Sequence, residues 1–278
     1  MTSPRPGPTS GDPPRPLALV TGASAGIGEA FARAYARRGH DIALVARRAD
    51  RLEALAAELS AAHGIEAFAI PADLATLEAC QQVLDAVAAR GRQVDVLVNN
   101  AGFGIAQSFT GVPWSRQRDF LMTLVVSGCG LAYGVIPPMV ARGSGAIINV
   151  ASLAGFAPGA AGHTLYPGAK SLAIKFSQAL DAEYRDKGLK VTAVCPGFTL
   201  TEFAEVNGTQ AIMDQAPRRF FQTAEQVVEI AIAANARGKV VVVPGWHNKL
   251  AAALLRYLPE SLLSAVIRRG AAKYHLED

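Results

Sequence analysis

A doubly wound α/β fold is what the sequence predicts, with about seven parallel strands in one sheet, helices on both faces and a helical extension at the C-terminus. Two observations carry the prediction. Short runs rich in Val, Ile, Leu and Ala alternate with longer helical stretches from residue 17 to about residue 245. Such alternation implies right-handed crossovers and a parallel sheet covered on both sides. A glycine-punctuated turn, Thr21-Gly22-Ala23-Ser24-Ala25-Gly26-Ile27-Gly28, also follows the first apolar run and opens the first helix. That is where an open α/β sheet meets its ligand.

Residues 17–21 (LALVT) form a short apolar run cut off by glycine, the mark of a buried strand. Residues 28–38 read as a helix, 41–46 (DIALVA) as a second buried strand, and the Ala-, Leu- and Glu-rich stretch 49–62 as the next helix. The third strand and helix fall at 65–70 and 76–90, the fourth strand at 94–99 and a long helical stretch at 113–141. A fifth strand at 146–151, a long helix at 163–187 and a sixth strand at 190–195 follow. A helix at 223–236 and a seventh strand at 239–243 complete the pattern, and 246–278 reads as two short amphipathic helices split by Pro259.

No internal repeat is visible, and no Pro/Gly/Ser-rich linker interrupts residues 17–245, so one domain is expected there. It is flanked by the extension at 246–278 and by a tail at 1–16 whose six prolines predict a solvated, poorly ordered segment. Half of the 278 residues are hydrophobic and 18% are charged, enough apolar material for a core. The net charge of +4 is mild, the arginine pairs form no long run, and aromatics are only 7%, which argues against a nucleic-acid surface. Cys80, Cys129 and Cys195 are far apart in the chain, odd in number and without metal-ligand spacing, as expected of free thiols in a reducing compartment. With no secretory h-region and no apolar run of the length of a membrane span, a cytoplasmic location is expected.

Glycines in the first strand–helix turn allow the backbone to approach a pyrophosphate, which then rests on the unpaired N–H groups of the helix N-terminus. The arrangement is Rossmann-like. An acidic residue at the end of the second strand would receive the ribose 2′-hydroxyl of NAD. Here Ala46 is followed by Arg47 and Arg48. A guanidinium fork matches a 2′-phosphate, so NADP(H) is the expected cofactor.

Tyr166 and Lys170 are four residues apart on a predicted helix, so both side chains lie on one face. A free phenol titrates near pH 10, and an adjacent ammonium lowers that value toward the range useful for acid–base work. Ser152, at the end of the fifth strand, is placed to hydrogen-bond a substrate oxygen as charge develops on it. With Asn99-Asn100-Ala101-Gly102 and Pro196-Gly197, these residues and the glycine turn stand in the order and spacing of the short-chain dehydrogenase/reductase family, which the chain resembles over about residues 17–245.

The resemblance implies an oxidoreductase that interconverts a carbonyl and an alcohol, with Ser152, Tyr166 and Lys170 catalytic. It implies that the cofactor is held by Gly22, Ser24, Gly26, Ile27, Gly28, Arg47 and Arg48. It further implies that Asp73, next to Leu74, accepts from the adenine amino group. Asn100, Ala101 and Gly102 would line the cofactor, Lys170 would hold its ribose, and Pro196, Gly197, Thr199 and Thr201 would clamp its carboxamide. A homodimer or homotetramer is implied as well.

Substrate pockets in the family come from the segments after the serine and after Pro-Gly. Here those hold Phe156, His163, Phe198, Phe203, Phe220 and Phe221, which points to a lipophilic ketone such as a 3-oxoacyl chain, a steroid-like ring or a polyketide-like intermediate. The extension carries Leu250, Leu254, Leu255, Leu258, Leu262, Leu263 and Ile267 with Arg256, Arg268 and Arg269. It packs on the domain or a second subunit, covers the active site, or touches a membrane surface.

One position departs from the family pattern. Where the family places a helix Asn that helps to hold a proton-relay water, this chain has Val125, in Leu124-Val125-Val126-Ser127-Gly128. Either backbone carbonyls hold the relay unaided, or proton delivery is impaired or rerouted. The alternative function is an NADP-binding regulatory or scaffold protein that has lost turnover.

Overall fold

A computed structural model describes residues 14–159, 161–162, 164–202, 217–259 and 261–263. Most of the expected N-terminal tail and residues 264–278 of the extension lie outside the described residues.

The first apolar run becomes β1 (Leu17–Thr21), buried along its whole length. It is buried because it pairs on both sides, with β2 (Asp41–Ala46) and with β4 (Val96–Asn99). Outside β2 lies β3 (Ala67–Pro71); beyond β4 lie β5 (Gly145–Val150) and β6 (Leu189–Val194). A two-residue edge strand at Val241–Val242 completes a seven-stranded parallel sheet in which β1 and β4 are central neighbours. The chain thus winds outward from β1 to β3 and restarts at β4. Ligands of such sheets bind outside the carboxyl ends of the strands at that reversal.

Helices cover both faces. On one side α1 (Gly26–Arg37), α2 (Ala49–His63) and a helix at Ala224–Ala236 pack Phe31, Tyr35, Leu52, Leu59 and Val227 onto the sheet. On the other, α3 (Ala79–Ala88), α5 (Ser127–Ala141) and α6 (Tyr166–Tyr184) contribute Val83, Leu131, Val135, Met139 and Leu180. Each such side chain, fully buried, contributes about 1.5–3 kcal/mol by leaving water.

Several boundaries differ from expectation for physical reasons. Helix α6 starts at Tyr166 rather than at 163, because Pro167 fits the first turn of a helix and needs no N–H partner. The stretch read as one helix over 113–141 is α4 (Trp114–Leu121) and α5 joined by a π-helical turn, Met122–Val126. The seventh strand shrinks to two residues because it is an edge whose one neighbour among the described residues is β6. Contrary to the expectation of no apolar run of that length, Trp114–Ala141 is long and apolar enough, by length and composition, to cross a membrane. Its apolar residues Leu131, Val135 and Met139 are spent on the core beside β4 and β5.

After β6 the chain makes a short parallel pair, β7 (Thr199–Leu200) with β8 (Gln222–Thr223). We number the helix at Ala224–Ala236 α7, the edge strand β9 and the helix at Trp246–Tyr257 α8. A capping box between Thr223 and Gln226 starts α7.

Candidate active site

The glycine turn is built by close approach. A side chain at Gly28 would place its Cβ 2.1 Å from the Gly22 carbonyl oxygen and 2.5 Å from Asn100 Nδ2, so only glycine fits. Gly22 and Gly26 adopt φ of +65° and +57°, the left-handed region. The N-cap of α1 is Ala25, which offers no side-chain cap, so the first N–H groups of the helix are left for another partner beside the turn, a cradle for an anion.

Asn100 does more than line this cradle. Its Nδ2 donates to the Thr21 carbonyl at 2.9 Å, tying β4 to the turn. Thr21 Oγ1 donates to the Val98 carbonyl and accepts from Asn100 and Ala101 N–H at 2.9 and 3.0 Å. The carboxyl ends of β1 and β4 are thereby locked side by side. A buried hydroxyl ending an otherwise apolar strand was the available signal for Thr21.

At the end of β2, Arg47 is exposed, and Arg48 donates to Ser24 Oγ at 2.9 Å. Arg48 and Arg51 also meet Glu202, at 3.5 and 3.0 Å. Hydrogen bonding from Arg51, with help from Arg48, holds the Glu202 carboxyl below its usual range. A surface carboxylate thus rests against both guanidinium groups in exposed ion pairs, which are weak. Arg51 was missed in the sequence although it lies one turn beyond Arg48 on the same helix face. Asp73 is exposed just past β3, its Oδ1 accepting from the Ala75 N–H at 3.1 Å, and Leu74 is buried beneath it.

Ser152, Tyr166 and Lys170 come together at the carboxyl end of β5. Ser152 caps a 3-10 turn at Leu153–Phe156, its Oγ accepting from the Ala154 N–H at 3.2 Å. It shares a side-chain hydrogen bond with Tyr166. Lys170, one turn along α6, is buried, with Nζ 5.6 Å from the centre of the Tyr166 ring and donating to the Val150 carbonyl at 2.8 Å.

The electrostatics correct one expectation. Burial raises the Tyr166 phenol above its ordinary value, and the Ser152 hydrogen bond only partly opposes this. Burial also lowers the lysine itself, to about 8. The neighbouring Cys195 thiol, also buried, is pushed up to about 12 and is inert at neutral pH.

The Pro196-Gly197 segment closes the site. Pro196 accepts from the Leu153 N–H at 3.0 Å, and Thr199 Oγ1 donates to the Gly197 carbonyl at 3.1 Å. The Thr201 side chain packs onto Gly26, about 3.1 Å from where a Cβ would stand, returning this segment to the glycine turn. The extension helix α8 also lands here. Buried Asn248 fills the space beside Gly197 and donates to Gln222 Oε1 and the Pro244 carbonyl at 3.0 and 2.8 Å.

Of the aromatic residues expected in the pocket, Phe198 stacks on Phe221 at 5.5 Å between centroids, Phe220 lies 5.7 Å from the His247 ring, and Phe156 packs against the core cluster of Ile174 and Cys195 with Arg256 of α8 4.5 Å over its ring. His163 and Phe203, also expected in the pocket, lie outside the described residues. All three cysteines are free, and Cys80 and Cys129, distant in sequence, interact across α3 and α5.

The short chain dehydrogenase family profile matches residues 16–211, more than half of the chain. An uncharacterized oxidoreductase of Myxococcus xanthus is 32% identical over 252 residues, covering 91% of this chain and 96% of that protein. A very-long-chain 3-oxoacyl-CoA reductase of Anas platyrhynchos is 34% identical over 68% of this chain, and the match spans 62% of that longer protein. Among solved structures, a short-chain dehydrogenase from Sphingobium yanoikuyae in complex with NADPH superposes with a TM-score of 0.75 at 32% identity, covering 93% of each chain.

Proposed function

The chain belongs to the short-chain dehydrogenase family, and from that premise we propose that it is an NADP(H)-dependent oxidoreductase interconverting a lipophilic ketone and its secondary alcohol. The observation that carries this reading is the meeting of Ser152, Tyr166 and Lys170 beside the glycine turn. The turn fits the cofactor's phosphates, with an uncapped helix start and no room for side chains at Gly28. The 2′-phosphate falls to Arg47 and Arg48, with Arg51 behind them. NADPH, when bound, supplies the hydride.

The remaining chemistry is done by this chain. Ser152 Oγ accepts from a backbone N–H, which leaves its proton to donate to the substrate oxygen as negative charge grows there. Tyr166 then gives its proton to that oxygen. Burial keeps the phenol protonated, as a proton donor must be, and the ammonium of Lys170 nearby favours the phenolate left behind once that proton has gone. Lys170, as the ammonium, holds the ribose hydroxyls and returns a proton toward Tyr166. The aromatic residues Phe156, Phe198, Phe220 and Phe221, in the segments after Ser152 and after Pro196-Gly197, support a lipophilic carbonyl as substrate, in keeping with the 3-oxoacyl-CoA reductase relative. The competing reading, a cofactor-binding scaffold without turnover, rests on Val125.

A panel of ketones assayed by NADPH consumption tests the function, and its pH profile tests the lysine. The reductive kcat/KM should be level through neutral pH and fall as Lys170 loses its proton above about 8. Because the folded value lies below that of the unfolded chain, the unfolded state binds more protons between about 8 and about 10.4, so stability should rise with pH across that window. A rate that stays flat past pH 9 would remove Lys170 from the mechanism.

A further inference from the structure

A small cavity of about 30 Å³ opens behind Lys170, with polar walls from Asn99, Thr123, Ser127, Asn149 and Lys170 and an apolar one from Val125. That volume suffices for a water if polar partners are present. Two partners are evident. The Asn99 Oδ1 is buried and has no hydrogen-bond partner among the described residues. The Lys170 ammonium carries three N–H groups, of which Val150 takes one.

The orientation of Asn99 is fixed by its neighbours. Its Nδ2 donates to the Gly128 carbonyl at 3.0 Å and to Asn149 Oδ1 at 2.9 Å. Asn149 Oδ1 must be an acceptor, because its own Nδ2 donates to Ser177 Oγ at 2.8 Å and Ser177 donates to the Ala173 carbonyl at 2.7 Å. Flipping the Asn99 amide would set its oxygen against two acceptors, so the orphaned atom is an acceptor. The π-helical turn Met122–Val126 contributes to the same wall, and such turns loosen the regular carbonyl ladder.

We propose that this cavity is a water site through which Lys170 exchanges protons with solvent, and that the Asn99 side chain is the positioning residue that holds the water. The proposal rests on the reductase reading above. It gives the relay a side-chain acceptor from β4 where Val125 offers none from the helix, so backbone carbonyls do not act unaided. One proton passes inward per turnover, from water to Lys170 and on toward Tyr166, replacing the one delivered to the substrate oxygen.

The test compares wild type, Asn99→Leu, Val125→Phe, which fills the cavity from the opposite wall, and Asn99→Leu with Val125→Asn. Either single variant should lower kcat roughly tenfold, the scale of one well-held water. It should raise the solvent deuterium effect on kcat and leave the Kd for NADPH within twofold. The added Val125→Asn amide should restore part of the loss. A second readout needs no turnover. The ¹⁵N-detected titration of Lys170, whose titratable neighbours are Tyr166 and Cys195, should move to lower pH in both single variants as the ammonium loses its water. Loss of NADPH affinity in step with kcat, or unchanged rates and titration in an active enzyme, would overturn the water site. A wild type that reduces no ketone but shows the Lys170 shift would overturn the reductase reading and leave the site standing.

Discussion

Replacing Tyr166 with phenylalanine should lower kcat by about a thousandfold or more, with the Kd for NADPH changed less than threefold, since a positioned acid is worth roughly 10²–10⁴. The ring packs 6.5 Å from Phe120, and phenylalanine keeps that contact. What is lost is the one hydroxyl that meets both the Ser152 hydrogen bond and the substrate oxygen. Cofactor binding by fluorescence and turnover with a reduced ketone measure the two sides separately. A Tyr166→Phe enzyme within tenfold of wild type would mean that the proton comes from elsewhere.

The second large effect concerns the end of β2. Exchanging Arg47 and Arg48 for alanine should weaken NADPH about 100-fold, given roughly 1.5–3 kcal/mol for each hydrogen bond to a charged group, while leaving NADH nearly unchanged. Arg48 is already oriented by Ser24, so little ordering is needed when the 2′-phosphate displaces Glu202. Equal affinity of the wild type for the two cofactors, or equal losses in the variant, would remove the 2′-phosphate from these arginines.

The parallel sheet and the glycine turn were legible because both are local. An apolar run ended by glycine, and a helix opened by glycine, require no knowledge of distant residues. Tyr166 and Lys170 were legible as a pair for the same reason, being one helical turn apart. What the sequence hid was long-range. Asn99 and Asn149 face each other across adjacent strands, fifty residues apart, and only the register of β4 on β5 brings them together. Arg51 and Glu202 are 151 residues apart.

Asn248 shows its importance only when α8 lands on Gly197. The sign of the Tyr166 shift was hidden too, because the nearby lysine is evident in sequence while burial is not. The π-helical turn has no compositional mark at all. Nor was the depth at which α5 sits legible, so its apolar length passed unnoticed.

The most direct measurement follows the hydride. NADPH carrying deuterium at the transferable C4 position is incubated with the protein and a lipophilic ketone, and the alcohol is analysed by mass spectrometry and NMR. The account predicts one deuterium at the carbinol carbon in wild type, and none above background in Tyr166→Phe. An unlabelled alcohol, or no alcohol from any ketone despite NADPH binding, would contradict it and leave a cofactor-binding protein without turnover.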